Sequence, residues 1–422
     1  MTDSEPLPAP GPIVPDSPPR APRGLLPGLG VTTLVTQAAA GGASLVLLPN
    51  QMALIDETHK VANLAMVTSV SFAVAILAQP LTGALSDRTR SRLGRRAPWM
   101  LAGAGASAVA LAAIGHIGAI PGIMACWICW QLSLAVAGAP MTAVMPDRVP
   151  EAKRGAASAF IGLGWMVGAG LGTVAAGRLA GSLPGGYTAL GLVVLAGIVG
   201  FVLFNRDRTT TAAAPERFKL GGFLRSFWIN PVKHPDYAWA FAARFLFVIS
   251  YFAIVTFTLY ILTDFVGMTP AEANLKIGLV NGVSIVAACV AITVGGFVSD
   301  AIARRKPFIY AASVFMAVGL VAPLIWHTFA AVLVLAAGFG LGFGLYQACD
   351  YVLMTLVLPN SGAAAGKDLG ILNLATAIPN ALAPALGGWV VLHAGGYPGL
   401  FVAGIIMCSL AGLALIPILG VK

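Results

Sequence analysis

Gly83-Ala-Leu-Ser86-Asp87-Arg88-Thr-Arg90-Ser-Arg92-Leu-Gly94-Arg95-Arg96-Ala-Pro98-Trp99 is one of two stretches that decide how this chain is built. The other is Gly296-Phe-Val-Ser299-Asp300-Ala-Ile-Ala-Arg304-Arg305-Lys306-Pro307-Phe308. Each places a Ser-Asp pair, then a basic cluster, then Pro and an aromatic residue at the end of a long apolar run. A second echo runs from Gly155, Gly168 and Gly172 to Gly370, Ala383 and Gly387 at a constant offset. Lone glycine or basic patterns are common, but two sets repeated in order indicate an internal duplication.

The sequence around these loops belongs in lipid. Of 422 residues 58% are hydrophobic and 10% charged, with a mean hydropathy of +0.86, whereas a soluble domain carries about 25% charged residues. Apolar runs recur at close to the roughly 20 residues that a bilayer-spanning helix needs. They must be helices, because only helices and closed barrels satisfy their own backbone in hydrocarbon. Charged and Pro/Gly punctuation sets six spans at about 27–54, 61–85, 98–117, 121–145, 156–177 and 187–204. Six more fall at about 239–263, 274–298, 308–326, 329–357, 369–393 and 399–419. The expected fold is an all-α membrane protein of twelve transmembrane helices in two six-helix pseudo-repeats. Its divisions are a disordered tail 1–26, a first bundle 27–204, a linker 205–238 and a second bundle 239–422.

The basic residues orient it. The termini and the loops after spans 2, 4, 6, 8 and 10 hold 21 Lys and Arg, while the opposite loops hold only Lys60, Arg178 and Lys276. Basic residues stay cytoplasmic, so a multi-pass protein of the cell's inner membrane with both termini on the cytoplasmic side is expected. The net charge of +9 then reflects topology and anionic headgroups, which argues against a nucleic-acid partner. The Pro-crowded, acid-first N-terminus lacks the basic start and short apolar core of a signal peptide. In the linker, Phe218, Phe223, Leu224, Phe227 and Trp228 beside Lys219 and Arg225 fit a helix lying on the membrane surface as an anchor.

The loop signature Gly83 through Arg96 resembles that of the major facilitator superfamily. Its Ser-Asp-Arg-Thr-Arg-Ser-Arg-x-Gly-Arg-Arg-x-Pro-Trp form is similar to the glycoside-pentoside-hexuronide:cation symporters and related sucrose transporters. The resemblance implies a cytoplasmic charge network that locks the outward-open state, formed by Asp87, Arg88, Arg95 and Arg96 with Asp300, Arg304 and Arg305 as pseudo-symmetric partners. A carboxylate facing guanidinium groups at helix ends can bond them in one rocking state and release them in the other. Topology alone accounts for the arginines but not for Asp87.

An ionisable residue near the bilayer centre costs on the order of 2.5–3.5 kcal/mol on insertion scales. Two are found there, Arg244 in span 7 and Asp350 in span 10. Their depths agree within roughly 3 Å at 1.5 Å per residue, so they can pair. The pair is open to two readings at this stage, a static staple of spans 7 and 10 or a proton or substrate site. The resemblance implies that spans 1, 4, 7 and 10 line a central cavity. Tyr251 with Arg244, and Tyr346 and Gln347 with Asp350, share helix stripes. Gln37, Ser44 and Gln51, Gln131 with Trp127 and Trp130, Trp165, Asn281 and Ser284, and Asn373 and Asn380 complete the polar candidates. Amides and indoles suit a neutral polyol, held by hydrogen bonds on its ring edges and stacking on its apolar faces.

The expected activity is secondary active transport of a small solute, a sugar or glycoside, by alternating access. It needs no cofactor, a proton is the expected coupling ion, and a monomer is expected to suffice. Melibiose-type members use acidic residues in spans 2 and 4 for sodium, and neither span here contains one. The alternative is a proton-driven exporter of drug-like compounds. Its Gly-Pro-x-x-Gly-Gly span 5 is matched in part by Gly155, Gly164 and Gly168, but Ala169 and Thr173 replace the Pro and final Gly. Cys126 and Cys129 sit within a span with no nearby His, which argues against a metal site. No nucleophile–base set or phosphate-binding loop argues for an enzyme. Replacing Asp87 by Asn should leave membrane insertion intact and cripple transport, and full uptake in that variant would remove Asp87 from the gate.

Overall fold

The computed structural model describes residues 24–89, 91, 93–150, 153–205, 233–302, 305–356 and 365–418. The anchor residues expected in the linker, Phe218 through Trp228, and Arg304 lie outside them, as does most of the N-terminal tail. The first half comprises α1 (Leu25–Ile55), α2 (Lys60–Arg88), α3 (Ala97–Ile114), α4 (Ile120–Arg148), α5 (Arg154–Leu179) and α6 (Leu183–Phe204). The second comprises α7 (235–265), α8 (Pro270–Ile302), α9 (Lys306–Ile325), α10 (Phe329–Leu356), α11 (Ala365–His393) and α12 (Gly396–Leu413). Among the described residues no strand occurs, and eleven of these helices are long and apolar enough to cross a membrane. In α2 the apolar run described is Lys60–Ile76.

The duplication seen in the sequence governs the packing. Helix α1 packs on α5 and α6, α2 on α4, and α3 on α4 and α6. Shifting each number by six gives the second half: α7 on α11 and α12, α8 on α10, and α9 on α10 and α12. The halves meet along α2–α11 and α5–α8, which the same shift exchanges, so a pseudo-twofold axis relates them.

Lipid gives no hydrophobic drive for helices to associate, so close approach of small residues must supply it. A Cβ on Gly164, Gly168 or Gly172 of α5 would stand 2.4, 2.3 or 1.9 Å from the carbonyl oxygens of Gly30, Leu34 and Ala38 of α1. In the second half Gly387 of α11 takes the place of Gly172 and meets the carbonyl of Ala253 on α7. Gly172 and Ala38 map onto Gly387 and Ala253 by the offset already visible in the sequence. Helix α10 uses glycine on two faces at once through Gly338-Phe-Gly340-Leu-Gly342-Phe-Gly344. Gly338 and Gly342 lie against α9, Gly340 and Gly344 against α8, and the aromatic residues are left for α7.

The contacts of α5 with α8 across the halves run from the end opposite the basic loops to mid-helix. A Cβ on Gly177 would lie 2.0 Å from the Asn274 carbonyl, Gly278 abuts Val174, Gly170 abuts Ile285, and Met166 touches Cys289 at 4.0 Å. Nearer the basic loops, Gly155, Gly162 and Gly296 meet nothing within 4 Å.

Valine at Gly172 should prise α1 from α5 and cost about 1–3 kcal/mol or more, as overpacking does. Detergent-solubilised Gly172→Val should therefore melt well below the parent in a thermal aggregation assay, while Gly162→Ala should match it.

Candidate functional site

Arg244 of α7 and Asp350 of α10 come together: Nη1 lies 3.3 Å from Oδ2, with the side chains 13% and 5% exposed. The other carboxylate oxygen, Oδ1, accepts a 2.6 Å hydrogen bond from the hydroxyl of Tyr346, one turn earlier on α10. The Tyr346 ring in turn stacks on Phe247, one turn beyond Arg244, with centroids 4.0 Å apart and planes 11° apart. The next rung is Tyr251, stacked on Phe343 at 4.5 Å and on Phe339 at 5.6 Å. Ion pair, ring stack and ring stack form a ladder up the α7–α10 seam. The repeat of aromatics at helical spacing on both antiparallel helices produces it.

This ladder breaks the pseudo-symmetry. The α7–α10 contact is closer than its counterpart α1–α4, and the offset that relates the halves carries Arg244 onto Leu29, a fully buried apolar residue. The ladder also touches the other half. Trp165 of α5, 40% exposed, faces Phe343 with nearly parallel planes, 17° apart, and centroids 6.3 Å apart. Within the second half, the Tyr251 hydroxyl lies beside Ser284 of α8. An acid, a guanidinium, a phenol and an aromatic wall thus converge where the two halves face each other. The Arg244 Nη1 makes no well-aligned hydrogen bond within the protein, so the guanidinium keeps donor capacity beyond its contact with Asp350.

The remaining candidates are spread out. Gln347 is exposed beside the ladder, and Asn281 is half-buried on α8 with its Nδ2 unbonded by protein. Gln37 and Asn380 are half-buried on α1 and α11, and Gln131 is buried on α4. The Asn373 side chain lies outside the description. Trp127 is fully buried against Trp130, centroids 4.5 Å apart, in the packed interior of the first half. No described contact brings it to the ladder. Gln51 is a structural tie, since its Nε2 donates to the carbonyls of Ile114 and Ile117 at 2.8 and 3.1 Å and fixes α1 to the end of α3. Phe247, Phe339 and Phe343 escaped the sequence reading, although their spacing with Tyr251 and Tyr346 carried the signal. That reading looked for polarity at depth and passed over phenyl rings.

At the basic loops, the backbones of Asp87 and Arg88 end α2 and Asp300 lies in the last turn of α8, with their side chains outside the description. Between α2 and α3 the chain turns through Gly94 at φ +96, a left-handed conformation that glycine adopts without a Cβ clash. Trp99 Nε1 closes the same turn onto Thr89 Oγ1 at 2.6 Å. Arg95 flanks this turn half-buried. Arg96, 6% exposed, reaches the carbonyl of Pro140 on α4 at 3.2 Å. Its counterpart Arg305 bonds the Ser299 hydroxyl, and Cys349 Sγ of α10 lies 3.4 Å from that hydroxyl. Each of these bonds joins residues of the same half.

The Major Facilitator Superfamily profile matches residues 31–366, and again 254–421. The chain belongs to the major facilitator superfamily. Among curated proteins none matches this transporter in sequence. Its fold is shared by several solved structures at low identity. The nucleoside transporter NupG, solved as a point mutant, aligns with a TM-score of 0.73 at 13% identity, covering 93% of this chain and 98% of that one. A D-xylose-proton symporter gives 0.67 at 16%, covering 95% and 97%. A bacterial homolog of the human lysosomal transporter Spinster, inward-facing and unoccupied, gives 0.67 at 14%, covering 93% and 92%. Members of this superfamily are transporters, which fits a membrane-embedded carrier of a small solute.

Removing one member of a buried ion pair leaves the other uncompensated at about 3–5 kcal/mol. Arg244→Gln and Asp350→Asn should each lower expression and thermal stability sharply, and the double variant should recover most of the loss. Simple addition of the two effects would show the residues to be independent. Tyr346→Phe deletes one hydrogen bond to a carboxylate and should cost about 1.5–3 kcal/mol in the same assay.

Proposed function

We propose that this transporter carries a small polyhydroxylated solute, a sugar or glycoside, across the inner membrane, driven by protons that bind at Asp350. The observation that carries the reading is the Arg244–Asp350–Tyr346 group at one end of an aromatic ladder that reaches Trp165 of the opposite half. A carboxylate within a membrane is costly unless paired, and pairing with Arg244 and Tyr346 lets Asp350 stay charged. A proton on the carboxylate removes the charge that holds Arg244. The guanidinium is then released to a solute hydroxyl, and solute and proton binding become linked. The rings of Tyr251, Phe343 and Trp165 offer flat apolar surface to the CH face of a sugar, with Ser284 and Gln347 near its edge.

Several features support the rest of the reading. Two of the structural neighbours are named for D-xylose and for nucleosides, and the loop signature resembles the glycoside-pentoside-hexuronide branch. The bundles 27–204 and 239–422 act as the two rocking bodies, linked through 205–238, with both termini cytoplasmic. The α5–α8 contacts between the halves lie toward the end away from the basic loops. The gate of Asp87, Arg88, Arg95, Arg96, Asp300, Arg304 and Arg305 lies at the basic-loop end, where charge pairs between helix ends can form in one rocking state and part in the other. The exporter reading draws on the same aromatic wall, but one carboxylate bound to an arginine is a poor host for an organic cation.

Proteoliposomes assayed with labelled sugars and with a cationic dye, with and without a proton gradient, test this. Saturable sugar uptake, accelerated by an inward proton gradient, is expected. The Arg244→Gln, Asp350→Asn double variant should keep counterflow and lose gradient-driven accumulation. Dye efflux without sugar uptake would establish the exporter reading, and undiminished accumulation in the double variant would remove Asp350 as the proton site.

A further inference from the structure

Within the second half the rings of the ladder stand close, with centroids 4.0 Å apart for Tyr346 and Phe247, 4.5 Å for Phe343 and Tyr251, and 5.6 Å for Tyr251 and Phe339. The step that crosses to the other half is wider. Phe343 and Trp165 stand 6.3 Å apart, yet their planes stay within 17° of parallel. A tryptophan that serves packing in this protein is set differently, since Trp127 and Trp130 are fully buried with centroids 4.5 Å apart. Trp165 keeps 40% of its surface open.

The duplicated scaffold does not call for these rings. The offset that relates the halves carries Trp165 onto Asn380 and Tyr251 onto Thr36. On α5 the packing is done by glycine, with Gly164, Gly168 and Gly172 against α1 and Gly170 against Ile285 of α8. Gly162, one turn before Trp165, meets nothing within 4 Å, so there is room on that side of the indole. On α10, Gly342 and Gly344 press backbone against α9 and α8 and fix the helix on either side of Phe343. One face is therefore rigid within its half, and the other moves with the opposite half. Carbon atoms in contact lie about 3.5–4.0 Å apart, so a flat ring held between two others needs them roughly 7–8 Å apart. Opening the present spacing that far takes a shift on the order of 1–2 Å, the size of shift that helices make at an interface.

The polar end of the site lies two turns away on the same seam. Asp350 follows Phe343 by seven residues and Tyr251 follows Arg244 by seven, roughly 10 Å at 1.5 Å per residue. Gln347, exposed, stands between Phe343 and Asp350 on α10. A lone sugar ring does not reach from one end to the other, and its puckered ring offers a CH face to one wall only. A sugar joined to a flat ring spans the distance and fills a slot with parallel walls. We infer that the solute is a glycoside bearing a planar aromatic or heteroaromatic group, with that ring held between Trp165 and Phe343 and the sugar hydroxyls directed to Gln347, Arg244 and Asp350. Aryl glycosides and nucleosides share this chemistry. This rests on the polyol reading above and adds the second part of the ligand.

Paired ligands separate the two ideas. Isothermal titration of the full-length protein in detergent would compare methyl with phenyl β-glycosides of glucose, galactose and xylose, and ribose with uridine. In at least one pair the ring-bearing member should bind about tenfold tighter or better, as one ring stacked on an aromatic side chain supplies. Trp165→Ala should bring that ratio close to one and Trp165→Phe should keep most of it, whereas a merely structural loss would weaken both members of a pair alike. Should Trp165→Ala not elute as a monodisperse peak, Trp165→Leu keeps bulk without an aromatic face and takes its place. A preference in the phenyl pairs alone, or in the uridine pair alone, supports the slot and names the source of the ring. Methyl glycosides and ribose binding as tightly as their ring-bearing partners would overturn the slot and leave the polyol reading standing. A ratio unchanged by either Trp165 substitution would also overturn it. Binding of ethidium with no member of any pair bound would overturn both.

Discussion

Helices in a bilayer gain nothing from hiding leucine from other leucine, so what holds each half of this protein together is contact of backbone on backbone at glycine. The α1–α5 seam shows it most directly. Gly164, Gly168 and Gly172 face three successive carbonyls of α1 at distances where no side chain fits. With the helices this close, dispersion contacts accumulate along the whole seam and each half behaves as a rigid body. Rigidity within halves is what allows motion between them. A loose bundle would absorb a ligand's binding energy locally instead of rocking.

Against this apolar frame, polarity is confined to two levels with different energetics. At mid-depth, Arg244, Asp350 and Tyr346 neutralise one another, and stacking of Tyr346 on Phe247 fixes the phenol that completes the set. The group lies off the pseudo-symmetry, since its equivalent position in α1 is Leu29. The duplicated scaffold was thus specialised on one side only. At the far end of the helices, Lys60, Asp264, Tyr397 and the Asn50–Asn274 pair meet near water, where charges are cheaper and bonds exchange more readily. Strong, shielded interactions suit a site that must persist through the cycle.

The far-end cluster also shows where reasoning from the sequence stops. A depth criterion selects ionisable residues in the middle of spans, and it finds Arg244 and Asp350 because only two exist there. Lys60 and Asp264 lie at span ends, where charge is ordinary, and nothing in the sequence relates residues 204 positions apart. Two π-helical turns, in α1 and α7, are invisible for the same reason. Ala43–Leu47 is apolar and Ile261–Phe265 carries Thr263 and Asp264, yet either stretch would serve equally well as regular helix, and nothing in its composition marks the wider winding. Gln51 and Trp127 illustrate the converse. Both are polar enough to suggest a binding surface, yet one caps the end of α3 and the other fills the interior of the first half, because an amide or an indole is also a good packing group.

By itself the sequence determined the membrane environment, the helical class, the number and approximate limits of the spans, and the duplication. Those follow from composition and from the length of chain needed to cross hydrocarbon, which are one-dimensional quantities. It also offered Arg244 and Asp350 as partners, because matched depth in two helices can be counted along a chain. Which faces meet was decided only in three dimensions: the α7–α10 ladder and the glycine seams with their α1 and α7 partners. The reason is that a helix presents every residue to some neighbour, and the choice among neighbours depends on which surfaces interlock and not on any residue's own preference.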